Sequence, residues 1–393
     1  MLSVIKAGRI ITGTDRPPIE RGVVVVDGSL IKAVGREDEV SIPSDVEVID
    51  RGEETLLPGL VDAHSHVSVI PGLGDQIGQL RAPAVESLLR AVANLRADLK
   101  SGVTTMRVLG EEHFIDIDLK KAIEAGQIPG PRLHVAARQI VASNGHGAAL
   151  TVTDGVDEVR KRVRENLRAG ADVIKLFMTG GVSSPNTNPT WYSYTSEEVE
   201  AAVEESHRSG KLVAVHAHGG PGVRICLDAG VDSIEHGALL TLEELELMVQ
   251  RGTWLVVNHA ISHHPEGIEK GDAHEPTIME KLLQSRRATR DKFRLILESG
   301  VKYAVGTDSM HGYIWFEFEM LVELGATPME ALLAGTRRAA EAIGLLDKVG
   351  TLEPGKYADI ISVQGNPLDD ITAMRRIGLV MKGGRRYDQI SLL

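Results

Sequence analysis

The stretch Leu57-Pro58-Gly59-Leu60-Val61-Asp62-Ala63-His64-Ser65-His66-Val67 is a short apolar run entered through Pro-Gly, the pattern of a buried strand. Side chains alternate along a strand, so His64 and His66 share a face, about 6.6 Å apart by strand rise. Two imidazoles so placed are able to hold one metal ion. They serve equally well as two core histidines satisfied by hydrogen bonds. What recurs downstream decides between the two.

Outward from this stretch, residues 59–349 alternate apolar β-type runs with amphipathic helical stretches. Strands are expected at 59–66, 103–109, 133–140, 172–178, 211–217, 232–236, 253–258 and 302–307. A helix is expected from Ser196, with Ser196 as its cap and Glu197 and Glu198 in its first turn. Eight strands alternating with helices predict an α/β fold, a (β/α)8 TIM-like barrel. A doubly wound open sheet is the other solution, and no Gly-x-Gly-x-x-Gly follows the first strand to recommend it. Residues 1–58 are strand-rich, with Val23–Val26 and Leu30–Val34 around the turn Asp27-Gly28. At the other end, 357–363 and 377–382 read as short strands. Neither end has enough apolar residues for its own core, so 1–58 and 350–393 are expected to join in one small β-sandwich domain flanking the barrel.

The 393 residues suit one large domain with an accessory one. Composition is that of an ordinary globular chain, 42% hydrophobic and 25% charged. A net charge of −12 argues against nucleic acid and anionic membrane as partners. The single cysteine, Cys226, excludes an internal disulfide and a cysteine-rich metal site. The first residues lack a signal-peptide core, and no run approaches eighteen apolar residues, so a cytoplasmic protein is the expectation.

Active sites of such barrels lie at the C-terminal ends of the strands, and polar residues collect there. Strand one ends in His64-Ser65-His66, and strand four carries Lys175. Strand five ends in His216-Ala217-His218, strand six in Glu235-His236-Gly237, and strand eight in Thr307-Asp308-Ser309. Each alone has an ordinary structural role to play, and Asp308 could simply cap the next helix. Recurrence at five of eight ends favours a site. Imidazole and carboxylate suit zinc and similar divalent ions. Lys175 joins such a set once carbon dioxide converts its amine to an anionic carbamate with two oxygens. Bridged ions lower the pKa of water and polarise a carbonyl.

At this point Pro58–His66, Lys175, His216, His236 and Gly306-Thr307-Asp308-Ser309 resemble the amidohydrolase superfamily, over essentially the whole chain and including Gly350–Asp359. The resemblance implies two divalent ions, zinc by ligand type, with His64 and His66 on one and His216 and His236 on the other. It implies a carbamylated Lys175 between them and Asp308 as both ligand and general acid/base. Gly102–Arg107, Asn144-Gly145-His146-Gly147 and His216-Ala217-His218-Gly219 further resemble the imidazolonepropionase-related branch, which includes Xaa-Pro dipeptidases and arginine or lysine carboxypeptidases. There the positions matching His146 and His218 are associated with substrate. The implied reaction is hydrolysis of an amide or peptide bond in a small dipeptide-like or N-acyl amino acid substrate. Carbamate, lactam, ester or phosphoester cleavage is the alternative, and a non-catalytic scaffold a third. Relatives are commonly homo-oligomers.

Two departures and two loops add expectations. Val108 follows Arg107 where many relatives carry an acid, so Arg107, expected at the mouth to meet substrate, loses its usual partner. Gly219 stands three residues after His216, where mononuclear deaminases often carry Glu, which favours two-metal hydrolysis. The aromatic loop Asn186–Tyr194 is expected to line the pocket through Tyr192. His259, His263 and His264 read as solvated loop histidines.

Overall fold

The computed structural model describes residues 2–42 and 45–388. Five strands precede or open the quoted stretch: β1 (Leu2–Ile10), β2 (Ile19–Asp27), β3 (Leu30–Arg36), β4 (Glu47–Asp50) and β5 (Thr55–Pro58). The β2–β3 hairpin turns at Gly28, whose φ of +61° is open to glycine at no steric cost. Strand β2 is covered on both faces. Val24 and Val26 pack with Ile5, Ile10 and Leu56, while Val23 and Val25 pack with Val4. That is why its sequence is a continuous valine run and not an alternation.

The middle of the chain supplies parallel strands. They are β6 (Leu60–Ser65), β7 (Val103–Val108), β8 (Arg132–Val135), β9 (Val173–Phe177), β10 (Leu212–Ala217), β11 (Ser233–His236), β12 (Trp254–Val257) and β13 (Tyr303–Val305). β6-β7-β8 form one parallel sheet and β9 through β13 another, in sequence order. Backbone hydrogen bonds join the two at both edges. The Ile140 N–H donates to the Lys175 carbonyl (2.8 Å) and the Phe177 N–H to the Ile140 carbonyl (2.9 Å). On the other side the Asp308 N–H donates to the His64 carbonyl (2.8 Å). Gly306 permits that approach, since a Cβ there would lie 2.5 Å from His64 N.

The strand expected over 133–140 stops at Val135. Ala137 takes a left-handed φ of +61° and gives its N–H to the buried Asp116 carboxylate (2.7 Å), so pairing resumes only at Ile140. The helix Ser196–His207 forms where expected, but its cap is Thr195, whose hydroxyl accepts from the Glu198 N–H while the Glu198 carboxylate accepts from the Thr195 N–H. This reciprocal capping box displaces Ser196 into the first turn.

The chain then returns through β14 (Ile360–Val363), β15 (Ile377–Lys382) and β16 (Arg385–Arg386). β14 pairs antiparallel with β5, placing Ile360 opposite Pro58 and Val363 opposite Thr55. The N- and C-terminal strands thus share one hydrogen-bonded network of eight strands in the order β16-β15-β14-β5-β1-β2-β3, with β4 on β1. Cys226 is buried in the helix Pro221–Ala229. Among the described residues no helix is long and apolar enough to cross a membrane.

Candidate active site

The register of β6 brings His64 to the C-terminal end of the strand, and His66 follows one residue past it. His64 Nε2 and His66 Nε2 stand 3.4 and 3.8 Å from Asp308 Oδ1. Candidate ligand atoms of these three side chains all lie within 4.8 Å of one another. His236 Nδ1 is 3.9 Å from Asp308 Oδ2, and the His236 and His216 rings are 4.5 Å apart. Lys175 is completely buried, and its Nζ has no hydrogen-bond partner among the described residues. It stands 4.9 Å from the centre of the Phe177 ring.

Outer partners fix the two imidazoles of the quoted stretch. His64 Nδ1 is 2.9 Å from Glu235 Oε2 and His66 Nδ1 is 2.8 Å from the Gly110 carbonyl. Both acceptors demand a proton on Nδ1, which leaves each Nε2 lone pair facing Asp308. Burial opposes charge on Glu235, but Arg107, the His64 hydrogen bond and Lys175 outweigh it and hold the carboxyl down at about 2. Burial likewise opposes charge on Asp308, and there His64, His66 and Lys175 keep it ionised, well below the usual carboxylate range. Burial, then Asp308 and Glu235 in opposition, leave the Lys175 amine lowered to about 8. Burial also brings His66 and His218 down to about 4 and His146 to about 3, and holds His216 and His236 low, reinforced by neighbouring imidazoles. Neutral imidazoles and an ionised carboxylate are donors that suit a divalent ion, and the unpartnered buried amine of Lys175 lies beside them.

Among the described residues, three of the eight non-glycine positions with positive φ lie here: His236 (+74°), Asp308 (+49°) and Ser309 (+72°). Backbone strain of this kind costs about 1–3 kcal/mol per residue. It has a visible result. Strand alternation would send adjacent Glu235 and His236 to opposite faces, yet Glu235 reaches His64 while the left-handed turn swings His236 toward Asp308.

The substrate-side expectations fare differently. His146 and His218 line the pocket that opens onto the cluster, together with His66, His216, His236 and Asp308. His146 Nδ1 is held 2.6 Å from Ser184 Oγ on the loop after β9. Arg107 is not at the mouth. It is buried beneath the cluster, with its guanidinium spent on Glu235 Oε1 (2.7 Å), Ser233 Oγ (3.1 Å) and the Ala63 carbonyl. Its partner, absent from its own strand, comes from β11. Tyr192 is also displaced. An antiparallel bridge pairs it with Thr179, and it faces a separate, more open groove with Asn186, Asn188 and Trp191. Nor is His259 solvated: it is buried in the pocket lining with Nδ1 3.1 Å from Glu317. His263 bonds Ser262 Oγ at 2.8 Å, and His264 packs against Tyr313 and Phe316.

Sequence reading passed over three supporting residues. Glu235 stood in plain view beside His236. Asp62, pushed up to about 7 by burial, accepts from the Thr307 N–H (3.0 Å) and hydroxyl (2.6 Å) and ties β6 to the Asp308 turn. Lys281 donates to the Gly181, Ser184 and Thr187 carbonyls and pins the loop that holds His146. A polar residue inside an apolar strand is the signal that would have found the first two. Lys281 sits on a distant helix and gave none.

Residues 55–387 match the model of the amidohydrolase family. Ochratoxinase of Aspergillus niger is 29% identical over 429 aligned residues, covering 98% of this chain and 86% of the relative. Imidazolonepropionase of Geobacillus kaustophilus is 25% identical, covering 87% and 84%. A Xaa-Pro dipeptidase solved with methionine in its active site superposes with a TM-score of 0.90 at 32% identity, covering 98% of this chain and 100% of that one. The family match and these relatives therefore make the chain a hydrolase acting on carbon–nitrogen bonds. The chain belongs to the amidohydrolase family.

Proposed function

We propose that this protein is a binuclear metal-dependent amidohydrolase that cleaves an amide or peptide bond of a dipeptide or N-acyl amino acid. In this reading β6–β13 close into one (β/α)8 barrel over 59–349, and residues 1–58 and 350–393 make the flanking β domain. The hydrogen bonds at Ile140 and between Asp308 and His64 support closure. The observation that carries the reading is the convergence of His64, His66 and Asp308, with each Nδ1 occupied and each Nε2 turned to the carboxylate.

His64 and His66 would hold one ion and His216 and His236 the other, with Asp308 as a further ligand. The neutral Lys175 amine would attack carbon dioxide and lose a proton, becoming the carbamate that joins the two. Zinc matches this donor set. Bound there, divalent ions polarise a carbonyl and lower the pKa of water. Asp308 accepts the proton of the attacking water and delivers it to the leaving amine. His146 and His218, on the pocket wall, orient the substrate by hydrogen bonds to its carboxylate. Arg107 acts through Glu235, as the counter-charge that keeps the His64 acceptor ionised.

The test is metal content together with a screen of N-acyl amino acids and dipeptides. Two equivalents of divalent metal and turnover of at least one amide are expected. Turnover confined to carbamates, lactams or esters would transfer the reading to those bonds.

A further inference from the structure

One wall of the pocket is formed by the helix Pro276–Ser299. It presents Ser285, Ala288, Thr289, Lys292, Phe293 and Ile296 to the pocket, positions spaced three and four apart along one face. The first three are small and leave a groove, while Phe293 and Ile296 are buried and close its floor. Lys292 is the one lysine or arginine in this lining, and Asp308 the one acid.

On the same helix Arg286 pairs with Glu269 and Arg294 with Glu298, both at 2.7 Å. Lys292 has no carboxylate within ion-pair distance among the described residues. Its ammonium reaches only the Leu239 and Leu240 carbonyls, at 3.4 and 3.5 Å, near the outer limit of a hydrogen bond. Those carbonyls end a turn in which the Leu240 N–H donates to the Gly237 carbonyl (3.2 Å). Such a turn keeps its first and fourth Cα atoms within about 7 Å, and it begins next to His236. One pocket lining therefore holds both the candidate metal-ligand cluster and, on its helix wall, a cation with no acid of its own among the described residues.

We propose that Lys292 seats an anionic group at the remote end of the substrate, which makes the preferred substrates amides whose short apolar arm ends in a carboxylate. This rests on the amide-hydrolase reading and names the substrate class of that same site. A partly buried charged contact of this type contributes roughly a factor of ten in affinity.

The test is calorimetric titration of the zinc-loaded protein with adipate and with hexanoate, which have the same length and differ by the distal carboxylate. The wild type should bind adipate about tenfold more tightly. Lys292→Met should abolish that preference and leave hexanoate unchanged, and Lys292→Arg should keep it. Thr289→Leu, which fills the groove, should weaken both ligands. Equal affinity of the wild type for the two acids, a preference that survives in Lys292→Met, or no effect of Thr289→Leu would each overturn the proposal. Titration needs no turnover. Failure of the amide screen alone would remove the proposed reaction while the calorimetry still decides the role of Lys292.

Discussion

The pocket has two walls built on different principles. One consists of strand ends, where His66, His216, His236 and Asp308 line the pocket above the buried His64 and Lys175, backed by the buried Glu235–Arg107 pair. The other consists of the helix Pro276–Ser299 and the loops after β6, β9 and β12, and it is mostly apolar. The strand wall is rigid and chemically explicit, fixed by ladders that cannot shift by one residue without reversing every side chain. The loop wall is set by packing between segments far apart in sequence. In the proposed reading chemistry resides on the first wall and substrate choice mainly on the second, the division expected where a rigid scaffold carries variable loops.

The sharpest way to break this division is Lys175→Ala. It should bring hydrolysis to background and remove at least one metal equivalent, as read by elemental analysis. The metal-free variant should melt no lower than the metal-free wild type, because a buried amine without a partner costs stability. An active variant with full metal content would take Lys175 out of the strand wall's chemistry. Asp308→Asn should follow, with a loss of about 10²–10⁴ in kcat while the fold is retained. A loss confined to KM would make Asp308 a substrate contact.

Glu235→Gln probes the backing of the strand wall. It leaves the Arg107 guanidinium buried without its counter-charge, so a destabilisation of about 3–5 kcal/mol is expected by denaturant titration. Weaker metal retention should accompany it through His64, by about 10–100-fold. An unchanged stability would show that water or another group compensates Arg107.

His218→Ala moves to the boundary between the walls. It should lower kcat/KM by roughly ten- to a hundredfold for an amide bearing a free carboxylate, with both metals retained. The amidated counterpart should lose much less. Equal losses on the two would remove carboxylate recognition from His218. The smallest effect is expected at Tyr192→Ala. Tyr192 faces the outer groove, so stability should move within about 0.5 kcal/mol and kcat/KM by less than about threefold, a difference below 1 kcal/mol. A larger kinetic loss would join the outer groove to the active pocket.

Legibility in the sequence followed the same division. Strand parity placed His64 with His66 and His216 with His218, and Pro-Gly before an apolar run located β6 within a residue of its observed start. Each of these depends on a period of two, which is local. The Asp27-Gly28 turn was legible for the same reason. Reading failed where a residue's role is set by a partner remote in the chain. Arg107 was expected to lack an acid because its own strand offers none, and the acid arrives from β11. Tyr192 was expected in the pocket, and a bridge to Thr179 turns it outward.

The sequence by itself determined the alternation of strands and helices, the family, and the residues from which the proposed metal site is drawn, because spacing and side-chain chemistry are properties of short segments. Only the tertiary structure decided which tautomer His64 and His66 adopt, since Glu235 and Gly110 must be brought to them. Only it decided that His236 and Asp308 face one another, since left-handed backbone breaks the parity that a strand would impose. And only it set Lys292 in the same pocket lining as Asp308, because helix and strand end meet through packing, and packing between distant segments leaves no period to read.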